Sequence, residues 1–309
     1  MSSEARSSAA IPPQAAAAPA PPGAVAAMAT IARYALQESL RRRVLTVVVL
    51  LTIGFLALYA LGAHFAFREA RDFAGADRDI LDPEAFTGAT MFGLAMFAIL
   101  FLGAVMAVFL TLGVVRGDAE RGLLQPLAVR PVGRGQLLIA RFAGAAAVAA
   151  LYVLVVYAIA LVITWIAGEW TPDHPILPGL ALGLGVVIIA ALSVLASVFL
   201  SGTAQGIAVL MLFGAGLTGG LMGQIGDALD SGTLQSIADV CNWLLPFEAL
   251  YQAGLHALTS ETPGLTGVVI RLGPFGGAEA GGVGLVLFSI AYCAAAVGGG
   301  VAAFARRDL

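Results

Sequence analysis

The sequence predicts an all-α integral membrane protein with six transmembrane helices, and three observations predict it. The chain is 60% hydrophobic and 11% charged, with a mean hydropathy of +0.94. Soluble domains carry about 25% charged residues. Six apolar runs each reach or approach the ~20 residues that cross a hydrocarbon core. Every one of the 16 basic residues is arginine, and these arginines gather at alternate ends of the runs.

Residues 1–27 are mostly Ala, Pro and Ser, with Pro12, Pro13, Pro19, Pro21 and Pro22 among them. Such a stretch buries no core and is expected to be disordered. The prolines interrupt any apolar signal-peptide region. Residues 28–309 form the expected six-span membrane domain. Its first part, residues 28–43, has the pattern of an amphipathic helix, with Ile31, Ala35, Leu36 and Leu40 near one face. Arg41, Arg42 and Arg43 then stand at the edge of an apolar run, placed to anchor at phosphate headgroups. A charged stop before the first span reads the same arginines more simply.

The runs are Val44–Ala63, Met91–Val115, Phe142–Ala167, Gly179–Leu200, Ala204–Met222 and Val283–Ala305. Without water at that depth the backbone must bond within each segment, so these are helices. The fifth is the weakest, being short and rich in glycine. Its small-xxx-small spacings, such as Gly216 to Gly220 and Gly219 to Gly223, permit close helix approach, within one chain or across a dimer.

Six crossings put both termini on one side. That side holds 12 arginines and the other four, Arg68, Arg71, Arg78 and Arg271. The bias places both termini in the cytoplasm, with Arg306 and Arg307 anchoring the last span. The outer segments are acidic. The last, residues 223–282, is too patterned for plain loop. Leu234, Ile237, Cys241, Leu244 and Leu245 recur at helical spacing, and Pro246 suits the first turn of another helix. Phe247, Leu250, Tyr251, Gly254 and Leu258 follow along one side. These helices either dip into the outer leaflet or lie on it.

One stretch carries more specific information. Between the second and third runs, residues 116–141 hold five arginines against Asp118 and Glu120. Glu120-Arg121-Gly122 leads into Leu123, Leu124 and Leu127, and Arg130-Pro131-Val132-Gly133-Arg134 leads to a new helix at about Gln136. This pattern resembles the cytoplasmic loop of ABC-2-type transporter permeases. In that family the loop carries a short coupling helix that docks on a separate ATP-hydrolysing subunit. The resemblance implies that Glu120, Arg121, Gly122, Leu123, Leu124, Leu127, Arg130 and Arg134 couple this chain to such an ATPase. It departs from the family pattern at Leu123, where the family has Thr, and at Ala140-Arg141, where it has Gly-Lys; Pro126 falls inside the presumed coupling helix. The family also implies an N-terminal elbow helix, re-entrant helices before the last span, and two permeases working with two ATPases, as a homodimer or heterodimer.

The chemistry of the residues narrows the function independently. The six runs, bounded as above, contain no Asp, Glu, Arg or His. Ion-coupled transport usually needs ionisable groups at mid-membrane. His64, His174 and His256 match no His-Glu-x-x-His spacing. A phosphate-binding P-loop needs a lysine, and the chain has none. The chain is therefore not an ATPase of that kind, and no catalytic, cofactor or metal site is expected in it. Asp77-Arg-Asp79 and Asp82-Pro-Glu84 read as solvated loop acids. Cys241 and Cys293 read as free thiols. The expected function is the membrane subunit of an ABC transporter, exporting a hydrophobic or amphipathic substrate across the plasma (inner) membrane. The partner subunit would bind ATP and Mg, the bilayer would surround the chain, and no nucleic acid is involved. A non-transporting membrane scaffold, or a secondary transporter with a carbonyl-built ion site, is the alternative.

Overall fold

The computed structural model describes residues 43–73, 82–112, 134–260, 262, 266, 269 and 280–306. The expected tail at 1–27 and the elbow helix lie outside them, except that Arg43 opens the first helix. The main elements are α1 (Arg43–Phe73), α2 (Pro83–Thr111), α3 (Arg134–Gly168), α4 (Leu177–Phe199), α5 (Gly202–Ala228), α6 (Gly232–Leu244), α7 (Pro246–His256) and α8 (Val283–Ala305). All but α6 and α7 are long and apolar enough to cross a membrane. The protein is an all-helical, multi-pass membrane protein.

Several helices outrun the apolar runs that announce them. α1 has 31 residues and α3 has 35, lengths of roughly 46 and 52 Å against a hydrocarbon core of about 30 Å. α1 continues past His64 through Arg68, Glu69, Arg71 and Asp72, because charged residues end an apolar run without ending a helix. The Arg71 guanidinium donates to the Ala167 carbonyl at 3.0 Å, tying this extension to the end of α3. α2 likewise starts eight residues before its apolar run. Asp82 is its N-cap, its Oδ1 accepting from the backbone N–H of Glu84 and Ala85 at 3.0 and 3.1 Å, with Pro83 in the first turn. Asp82 and Glu84 therefore open a helix and are not plain loop acids.

The core is built around α2 and α4, the most buried of the six long helices. Phe92, Met96, Ile99 and Leu100 of α2 are fully buried against Val153 and Val156 of α3 and Leu182, Val186 and Ile189 of α4. Between membrane spans, where lipid is as apolar as the core, close van der Waals packing of this kind holds the helices together. Gly103 permits this closeness: a Cβ there would sit 2.5 Å from Val153 and 2.7 Å from Val186. α1 rests on the outside of α3, with Thr52 bonded to Tyr152 and Tyr59 to Thr164. α1, α5 and α8 leave most of their surface uncovered.

The last outer segment resolves into a hairpin that reaches into the bundle. α6 runs back along α5: Gly226 faces Leu234, Gly223 faces Ala238 and Gly219 faces Cys241. At its tip Gly216 faces Leu245 and Phe247. Gly216 lies 12 residues before the end of α5, so the hairpin descends roughly 18 Å alongside it. α7 then returns along α4, with Phe247 beside Gly185 and Gly254 beside Pro178. Phe247, Leu250 and Tyr251 are buried, as are Gly254 and Leu258. The apolar side legible in the sequence is thus the face α7 packs inward. The glycines of α5 at 216, 219, 220 and 223 serve packing within the chain.

Candidate functional site

Most of the residues expected to couple the chain to a partner lie outside the described residues: Glu120, Arg121, Gly122, Leu123, Leu124, Leu127 and Arg130. So do the anchors Arg41, Arg42 and Arg307. Arg134 opens α3, two residues earlier than expected, and Arg306 is exposed just past α8. What the structure does define is the frame on which residues 113–133 hang. The end of the bundle where α2 finishes and α3 begins is called the loop end below.

On the α2 side of that frame a buried polar knot joins three helices. Thr111, in the last turn of α2, lies 2.7 Å from the Ser193 hydroxyl of α4, with the Ala107 carbonyl at 2.8 Å as a second acceptor for its single proton. Gln205, in the first turn of α5, is fully buried. Its Nε2 donates at 3.1 Å to the Thr111 carbonyl, and at 3.0 Å to the carbonyl and hydroxyl of Ser193. Leaving one buried polar partner unsatisfied costs about 1–3 kcal/mol, so the knot holds one geometry.

On the α3 side the frame is apolar. Leu138 packs with Val194 and Val198 of α4 and Phe304 of α8. Gly135 lets α8 approach, since a Cβ there would meet Val301 at 2.8 Å. Both ends of the 113–133 segment therefore bear on α4, one by hydrogen bonds and one by packing. At α4 the first end also meets α5 through Gln205, and the second meets α8 through Phe304.

The opposite end holds a second buried polar cluster, on the hairpin. Glu248 of α7 is 1% exposed and level with Gly220 of α5. Its Oε1 accepts from Gln252 Nε2 at 2.8 Å, and Gln252 Oε1 accepts from Gln224 Nε2 at 3.0 Å. Its Oε2 finds no partner among the described residues. Gly220 makes room for the carboxyl, since a Cβ there would force the Glu248 side chain to move. Burial pushes the carboxyl up to about 7, against the smaller opposing effect of the Gln252 hydrogen bond. Burial, and then the nearby Glu248 charge, push the Tyr251 phenol up as well.

Glu248 is the residue that sequence reasoning missed. It lies in an acidic outer segment, and the apolar runs of the sequence contain no Asp, Glu, Arg or His. The hairpin carries one in by another route. The signal was present: Glu248 lies four residues before Gln252, and on a helix it neighbours Tyr251 and Leu255 at the margin of the apolar stripe. Cys241 and Cys293 are free thiols, as expected. Among the described residues no three His, Cys, Asp or Glu side chains converge as metal ligands would.

The comparison with known families matches a family model described as "ABC-2 family transporter protein" over residues 29–309. No curated protein matches the sequence.

Proposed function

The chain belongs to the ABC-2 family of transporter proteins and is a membrane permease component of an ABC transporter, and we propose that it exports a hydrophobic or amphipathic substrate using ATP hydrolysed by a separate subunit. The observation that carries the proposal is the frame at the loop end. Motion of a segment docked on an ATPase would reach the bundle through its two fixed ends, and Thr111–Ser193–Gln205 with Leu138–Val194–Phe304 ties both to α4.

In this reading the loop end faces the cytoplasm, supported by the 12 arginines assigned to its side against four on the other. Leu123, Leu124 and Leu127 dock in an apolar cleft of the ATPase, with Glu120, Arg121, Arg130 and Arg134 setting register around the rim. The partner binds ATP and Mg. Two permeases form the pathway between them, and the uncovered faces of α1, α5 and α8 are the surfaces available for that contact. Arg41, Arg42, Arg43, Arg306 and Arg307 hold the chain at the headgroups on the cytoplasmic side.

Gln205→Leu tests the transmission step. The ATPase should still co-purify, because the docking residues are untouched. Stimulation of its hydrolysis by the permease should fall roughly fivefold or more, the scale of an ordinary coupling free energy. Unchanged stimulation in a variant that elutes like the wild type would rule out the frame as the transmitting element.

A further inference from the structure

α6, α7 and α8 enclose a cleft of about 260 Å³ between the re-entrant hairpin and the last span. Its lining includes Asp239, Asn242 and Trp243 of α6, Ala249 of α7, and Leu285 and Phe288 of α8. We propose that this cleft binds the quaternary or alkyl ammonium head of an amphipathic cation, with Asp239 and Trp243 as its principal contacts.

Two features of the cleft carry this assignment. First, Trp243 and Phe288 stand with ring centroids 4.8 Å apart and planes at 73°, edge against face, so two aromatic walls meet in a corner. Aromatic corners attract cations through the ring quadrupole, most strongly where water is excluded. Second, among the described residues the lining carries one acid and no basic residue. Asp239 shares α6 with Ala238, which packs on Gly223 near the end of α5 remote from the loop end. A carboxylate beside an apolar rim attracts a cation by charge.

The surroundings set the rest of the ligand. Trp243 is 68% exposed, and Val240, Leu244 and Leu287 present apolar surface beside it. A free, hydrated ion would gain nothing from that rim. An amphiphile would lay its chain there while its head enters the corner. The volume suits a methylated ammonium group with a few methylenes and not a whole drug-sized molecule. The head chemistry is shared by a choline lipid and by a dissolved alkylammonium cation. Binding at the cleft does not depend on the export reading or on an ATPase, so the two stand or fall separately.

The test is equilibrium binding of dodecyltrimethylammonium to the purified full chain in dodecyl maltoside, read by titration calorimetry. The neutral detergent shares the probe's tail and is present in excess, so any saturable heat reports the head. The wild type should bind one equivalent. Asp239→Asn and Trp243→Leu should each weaken binding about tenfold or more, and Asp239→Glu should retain most of it. Both positions are exposed, and an unchanged elution volume verifies the fold. The same proteins in phosphatidylglycerol nanodiscs doped with phosphatidylcholine separate the sources. Selective retention of phosphatidylcholine by the wild type, lost in Asp239→Asn, identifies a lipid headgroup. Binding of the soluble probe without such retention identifies a dissolved cation. Either result upholds an ammonium site. Absence of saturable binding to the wild type, or equal affinity in Asp239→Asn and Trp243→Leu, overturns it.

Discussion

Replacing Glu248 by Gln should abolish a pH dependence of stability that the hairpin imposes. Burial raises the carboxyl from its usual 4.5 to about 7 in the folded protein. Below pH 4.5 both folded and unfolded forms are protonated, and the group favours the folded state fully. As pH rises from 4.5 towards 7 the unfolded form ionises first, so stability falls. Above 7 both forms are ionised and the loss levels off. Each tenfold change in the ionisation constant is worth about 1.4 kcal/mol, so the total loss is about 3 kcal/mol. Among the described residues the influences on this carboxyl are burial, which raises it, and the smaller opposing effect of the Gln252 amide. Glutamine keeps an acceptor for Gln252 Nε2 and has no charge to bury. Its extra N–H group facing the unpartnered Oε2 position lowers stability by a constant amount, independent of pH. Thermal unfolding midpoints in dodecyl maltoside from pH 4.5 to 8 test this as a difference between wild type and variant, which cancels the histidines common to both. The wild type should lose several degrees relative to Glu248→Gln across that range. Parallel profiles would show that Glu248 is solvated in the folded protein and that the hairpin does not bury it.

Gly220→Ala should destabilise the hairpin by about 1–3 kcal/mol, because its methyl overlaps the Glu248 carboxyl, and a second change of Glu248 to Ala should recover part of the loss in the same melting assay. Cysteine labels at Ala76, Asp173 and Thr262, in a background lacking Cys241 and Cys293, should react from outside intact cells, whereas labels at Gly133 and the C-terminus should not. Outside labelling at Gly133 would reverse the orientation.

The sequence conveyed the six spans because length and apolarity alone decide whether a segment crosses a membrane. It conveyed less about where they end. Arg68, Glu69, Arg71 and Asp72 look like the start of a loop, yet they continue α1 because a helix beyond the hydrocarbon needs backbone bonds and not apolar side chains. Asp82-Pro83-Glu84 carried a readable N-cap signature that a reading by charge passed over. Helical spacing announced both arms of the hairpin. Its depth was not legible, since the pairing of Gly216, Gly219 and Gly223 with Phe247, Cys241 and Ala238 is a tertiary fact. The same holds for Thr111, Ser193 and Gln205. Each is an unremarkable polar residue in an apolar run, and only packing makes them one knot.

The central claim is that this permease transports by coupling to a separate ATPase through residues 116–141. Leu124 tests it most directly, because a buried interface anchor carries on the order of 2 kcal/mol or more while rim charges carry less. Pull-down of the ATPase and ATP-driven substrate flux should be measured on the same vesicles for wild type, Leu124→Asp and Arg134→Ala. ATPase recovery and flux should fall together in Leu124→Asp and only mildly in Arg134→Ala, at equal permease content. If Leu124→Asp leaves both at the wild-type level, the loop does not couple the chain to an ATPase and the account is wrong.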